Sequence, residues 1–155
     1  MAIARGAGTE IIRSAHFEDI DGSATRDLIF GVQHHIYTVL SIIIIPDSLQ
    51  ASGNIFYLKL LGYDALEGGS AGSAETISIA NIAFTAAGET FVWNDKFSFN
   101  GHEPTAFTGP MDDATKQDAI ADQGNASVAQ KLQCSTSNPA DSFEVHITYI
   151  DQNNA

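Results

Sequence analysis

IYTVLSIIII, residues 36–45, is the most apolar stretch of the chain, and its reading decides the fold. It is rich in β-branched side chains, contains no Gly, and runs until Pro46 stops it. Branching at Cβ suits a pleated, half-buried surface better than a helix, so length and composition predict a strand. In its second half both alternating sets are apolar, with Ile42 and Ile44 on one face and Ile43 and Ile45 on the other. A strand covered on one side alone alternates with polar residues. This one therefore predicts a central strand with one face in the core. Its second face should meet the chain's own loops and arm, or another copy of the chain.

The segments on either side carry the same signal. After PDSLQASG, NIFYLKLLGY (54–63) sets Ile55, Tyr57, Lys59 and Leu61 against Phe56, Leu58 and Leu60. EGGSAGSAE (67–75) is a glycine-rich loop, and TISIANIAF (76–84) is β-like with a less regular alternation. In TFVWNDKFSF (90–99), Phe91, Trp93, Phe97 and Phe99 share a parity, while Asn94-Asp95 marks a bulge or a hairpin turn. NASVAQKLQCSTS (125–137) reads as strand. SFEVHITYI (142–150) closes the chain with Phe143, Val145, Ile147 and Tyr149 inward and Glu144, His146 and Thr148 outward. MDDATKQDAIADQG (111–124) predicts a short helix or loop excursion near 112–124, capped by Asp112 or Asp113 and ended by Gly124.

Strands joined by turns, without helices of crossover length, predict an all-β protein: an antiparallel β-sandwich or jelly roll, with a closed barrel as the rival. Residues 1–31 read as an extended N-terminal arm that can supply an edge strand from IIRSAHFEDI (11–20). Two readings of it stand side by side: an arm ordered against another surface, or a plain edge strand behind a frayed terminus. Residues 32–155 form a single sandwich domain.

Seven basic residues against nineteen acidic ones give a net charge of −12. That field disfavours nucleic acid and anionic membranes as partners. The apolar stretch is too short to span a bilayer, and no secretion signal is apparent in the first thirty residues. The lone Cys134 excludes an intrachain disulfide framework and reads as a small buried hydrophobe in a reducing compartment.

Motifs for chemistry are weak. His16, His34, His35, His102 and His146 have no metal-ligand spacing, and adjacent strand residues such as His34 and His35 point to opposite faces. No metal or cofactor is expected. Asp112, Asp113, Asp118 and Asp122 read as a solvated acidic face, since their spacing misses a calcium loop. No serine sits in GxSxG, and GGSAG lacks the ending of a phosphate loop, so no enzymatic activity is expected. Trp93, Tyr57, Tyr63 and Tyr149 suit a core better than a sugar-binding platform.

The strand sequences carry one resemblance. TVLSIIIIPDSLQASGNIFYLKLLG (38–62) resembles a pattern of small tailed-bacteriophage virion proteins: an apolar strand with a central LSI, a short loop and a strand with bulky alternate residues. AGETFVWNDKFSF (87–99) and SFEVHITYIDQ (142–152) are similar to their later turn-and-strand segment and final strand. The stretch from 100 to 124 is longer than in that pattern. The resemblance implies a capsid decoration (cement) protein of β-sandwich or jelly-roll type, located on the virion's capsid surface and assembled in the host cytoplasm. Its partner would be the major capsid protein and its oligomer a homotrimer. It implies a capsid-binding arm with Arg5, Arg13 and Phe17, and a subunit interface with Ile36, Ile43, Ile45, His34 and His35. The alternatives are a tail or head-tail accessory protein and a receptor- or carbohydrate-binding module.

Overall fold

The computed structural model describes residues 9–22, 24–63, 74–104 and 127–153. They form β1 (Thr9–Asp21), β2 (Arg26–Phe30), β3 (His35–Ser48), β4 (Ile55–Tyr63), β5 (Ala74–Ala83), β6 (Phe91–Trp93), β7 (Phe97–Asn100), β8 (His102–Pro104), β9 (Ser127–Ala129), β10 (Lys131–Thr136) and β11 (Ser142–Asn153). The first sheet has the order β1-β11-β3-β6, with β7 also on β3, and the second the order β2-β10-β4-β5. β8 and β9 pair separately. Every pairing is antiparallel.

β6 and β7 both pair β3, with Trp93 opposite Ile42 and Phe97 opposite Val39. Asn94-Asp95 is therefore a bulge within one interrupted strand and not a hairpin. Counting that strand once, two four-stranded sheets face each other and the chain passes repeatedly between them. The arrangement is a jelly roll, within the sandwich class expected.

The residues of 36–45 behave as their pattern requires, with one addition. Ile42 and Ile44 are fully buried, whereas Ile43 and Ile45 lie half-exposed on the outer face. Tyr37 and Val39 are also buried because the β3–β11 register slips opposite Leu40, which resets the parity. Across the interior, Phe143 meets Phe56 at 5.3 Å and Phe84 at 5.5 Å between ring centroids. Leu58, Leu132, Cys134, Val145 and Ile147 fill the rest of the same core. Each such side chain contributes about 1.5–3 kcal/mol when fully buried.

Residues 9–21 take the edge-strand form. β1 pairs β11 from Thr9↔Asn153 to Asp21↔Ser142, and Ala15 and Phe17 pack against the core. Residues 26–30, read as part of the arm, join the second sheet through β10. The arm expected over 1–31 is thus built into both sheets from residue 9 to residue 30, because the edges of β11 and β10 offer its backbone a full ladder. Gly22, at φ 74°, makes the turn between β1 and β2, closed by the Arg26–Asp21 ion pair at 2.9 Å. The excursion near 112–124 and residues 1–8, including Arg5, lie outside the described residues.

Candidate interaction surface

Three groups of polar or exposed side chains stand out from the core. The first closes one end of the sandwich. Asp151 is on the inward face of β11, the face that carries Tyr149, and is almost fully buried. Its Oδ1 lies 2.6 Å from His35 Nδ1, and its Oδ2 accepts a hydrogen bond from Arg13 Nη1 at 3.2 Å. Tyr37 stands beside His35, and its hydroxyl accepts the Val32 N–H at 3.0 Å. Burial pushes the Tyr37 phenol above its ordinary range, opposed by that backbone hydrogen bond.

Nearby, the chain closes tightly on itself. Gly31 and Gly101 lie where a Cβ would meet backbone atoms at 2.1 and 1.8 Å, so only glycine fits either position. Gln130 donates its side-chain amide to Asn100 Oδ1 beside them. His34, at φ 65°, turns the chain into β3 and does not begin the strand. The two adjacent histidines are therefore not partners across one strand. His35 is engaged with Asp151, while His34 sits in the turn. The His102 imidazole is held below its ordinary value, by burial first and then by His34.

The second group is the outer face of the first sheet. The register puts His16, His146, Ile43 and Val92 on one row across β1, β11, β3 and β6. Ile12 and Ile150 occupy another row beside Thr38 and Ser98. Ile12 is 72% exposed and Val92 52%. Ser14 and Thr148 share a hydroxyl hydrogen bond at 3.1 Å between these rows. Of the residues expected at an interface, Ile36, Ile43 and Ile45 do share this surface. Of those expected in a binding arm, Arg13 is held by Asp151 and Phe17 by the core.

The third group is the outer face of the second sheet. Lys131 Nζ sits 4.5 Å from the Phe30 ring centroid and Lys59 Nζ 5.2 Å from that of Tyr57. Opposite-facing Leu132, Cys134, Phe56 and Leu58 are fully buried, which fixes these lysines as outward. Trp93 faces the core from the first sheet and donates Nε1–H to the Asp95 carbonyl, and Tyr149 is buried. Trp93, Tyr57 and Tyr149 therefore do not share a platform. The side chain of Tyr63 lies outside the described residues.

The described side chains offer little activated chemistry. Burial pushes the Cys134 thiol up to about 12, which keeps it protonated and unreactive. Among the described residues no group of three or more His, Cys, Asp or Glu is arranged around a common metal position. The contact that spacing in the sequence could not reveal is His16 with His146, whose ring centroids lie 5.6 Å apart.

The jelly roll is the class that the fold defines. Neither a family model nor a curated protein matches the chain. Among solved structures, the chain is similar to one from Bacillus endospore appendages, described as a novel family of disulfide-linked pili. The TM-score is 0.42 with 12% identity, over 100% of this chain and 97% of that one. It is also similar to a chain of infectious bursal disease virus Gt strain, with a TM-score of 0.38 and 8% identity, over 96% of this chain and 38% of that one.

Proposed function

We propose that this chain is a non-enzymatic structural protein of a virion, a decoration protein that binds the outer surface of a phage capsid and stabilises contacts between capsomers. The observation that carries the reading is the outer face of the first sheet. There the sandwich core is already complete, yet Ile12, Ile36, Ile43, Ile45 and Val92 remain at least partly exposed on a long, regular surface. Side chains in such an array contribute more when a second surface covers them than they do in the monomer. The major capsid protein is the proposed partner, and three copies of the chain around an axis the proposed oligomer. The capsid-binding role proposed for Arg5 falls on residues 1–8, outside the described residues. A filled core and the thiol of Cys134 locked in it fit a mechanical role.

The outer edge of β5, which no other described strand pairs, also supports an assembling role. β5 pairs only β4 among the described strands and carries Ile77 at 67% exposure. Unpaired strand edges of this kind favour strand addition by another chain. A tail or head-tail accessory protein shares these features and differs in location.

The test is to purify particles on a density gradient from the host carrying the gene and to quantify the chain in them. Copy numbers matching the capsid's symmetry, removed by Ile43→Asp or Val92→Asp with the monomer still folded, are expected. Absence from the particles would overturn the virion reading, and a few copies confined to tails would overturn the capsid one.

A further inference from the structure

We infer that the outer face of the second sheet docks an extended, carboxylate-bearing segment of a partner protein, held through Lys59 and Lys131. Cations are scarce on this chain, with seven basic residues against nineteen acidic ones. Arg13 is paired with Asp151 and Arg26 with Asp21. Lys59 and Lys131 form no ion pair among the described residues and lie instead over the rings of Tyr57 and Phe30.

The ladder fixes where the two lysines stand. Across β2, β10 and β4 one outward row reads Phe30, Lys131 and Leu61, and the next reads Asp27, Gln133 and Lys59. The alternating residues Leu58, Leu132 and Cys134 fill the core, so both lysines face out. The ammoniums diverge, that of Lys131 across to β2 and that of Lys59 along β4, each held on the face of its ring. Asp27 is the one carboxylate in these rows, and its Oδ1 already accepts the Gln133 amide at 2.7 Å.

This spacing selects the occupant. Phe30 and Tyr57 are two strands apart and four residues out of line in the register, about 16 Å between backbones, so one carboxylate cannot serve both ammoniums. An extended segment with an acidic residue at every second position holds its carboxylates on one face, the first and third about 13 Å apart. The flexible lysine stems take up the difference. Exposed Phe30, with half-buried Leu61 and Tyr57, gives the segment an apolar floor. At physiological salt charges act over about 8 Å, so the two lysines attract what lies directly on them. A nucleic acid or sulfated glycan that runs past the patch meets a chain of net charge −12 and is repelled. The docking is independent of the virion reading, which uses the outer face of the other sheet.

The experiment is an NMR titration of the isotope-labelled, full-length protein with a synthetic peptide in which glutamate alternates with threonine. Saturable amide shifts centred on β2, β10 and β4, weakening as salt rises, are expected. Lys59→Ala and Lys131→Ala should each weaken binding about two- to fivefold, and Lys131→Glu at least about tenfold. Lys96→Glu, an equal change of charge between β6 and β7, should bind as the parent does. A peptide of the same composition with its glutamates in one block should bind more weakly. Far-UV circular dichroism checks that each variant folds. The proposal is overturned by no saturable shift, by shifts centred on the first sheet, or by equal losses in Lys96→Glu and Lys131→Glu. Equal binding of the two peptides, or tighter binding of heparin or a DNA oligonucleotide, also overturns it.

Discussion

Asp151 offers the sharpest test of how the sandwich is closed at its end. Replacing it by Ala removes the acceptor of two hydrogen bonds, one from His35 and one from Arg13. The two losses are not equal. The His35 side chain is 17% exposed, so the imidazole left without its partner stays mostly out of water, and a buried charge-assisted hydrogen bond contributes about 1.5–3 kcal/mol. The Arg13 side chain is 53% exposed and can turn into solvent, which limits its share to under about 1 kcal/mol. Asp151→Ala should therefore cost about 2–3 kcal/mol in all, or roughly 5–10 °C in melting temperature for a chain of this size. Arg13→Ala should cost at most about 3 °C on the same scale. Thermal denaturation and urea unfolding of both variants measure these values, and the double variant gives the coupling directly. The reasoning is refuted if Asp151→Ala melts with the parent, or if Arg13→Ala is as damaging as Asp151→Ala.

Other substitutions probe separate parts of the fold. Phe143→Ala, which empties the space shared with Phe56 and Phe84, should cost about 3–5 kcal/mol in urea unfolding. Gly101→Ala would drive a Cβ into the Val32 carbonyl and should cost more than about 3 kcal/mol, with loss of the folded chain at growth temperature as the readout. Cys134 should resist a thiol reagent in the native protein and react once per chain in guanidinium, since its thiol is buried and raised to about 12. His102 is held below its ordinary 6.5, so folding favours the neutral ring; stability from this source is complete above pH 6.5 and declines as pH falls through the folded value. His102→Gln should flatten that decline in pH-dependent melting curves.

Where two faces meet very different surroundings, the pattern was readable in advance. β11 alternates along its length, and its buried set of Phe143, Val145, Ile147 and Tyr149 follows from parity alone. The shared parity of Phe91, Trp93, Phe97 and Phe99 also survives, because the bulge at Asn94-Asp95 adds residues without turning the strand over. Edges were harder. β1 exposes much of both faces, so its apolar period disappears, and β2 is a short strand whose first residues look like a turn. In β5 the register shift opposite Leu58 and Lys59 separates the exposed Ile77 from the buried Ile82. Pairing decides these cases, and pairing is a property of the partner strand. The same holds for His16 and His146. Neither has a neighbour in sequence that marks it, and only the alignment of Ala15 with Ile147 brings the two rings together.

The distribution of charge bears on which face does the work. At a net charge of −12 copies of the chain repel one another, and at physiological salt that repulsion reaches only about 8 Å. Contacts between copies are therefore favoured where apolar area is exposed and carboxylates are sparse. The row Ile43–Val92 on the first sheet offers apolar area, whereas the second sheet carries Lys59 and Lys131 over aromatic rings. Lysines stacked in this way keep their charge near the surface and suit an acidic partner instead. Raising salt should then act oppositely on the two faces. It relieves repulsion at an apolar contact between copies and weakens an attraction led by Lys59 and Lys131. Self-association that strengthens with salt would identify the first sheet as the contact between copies. Association lost with salt and with Lys131→Glu would move it to the second.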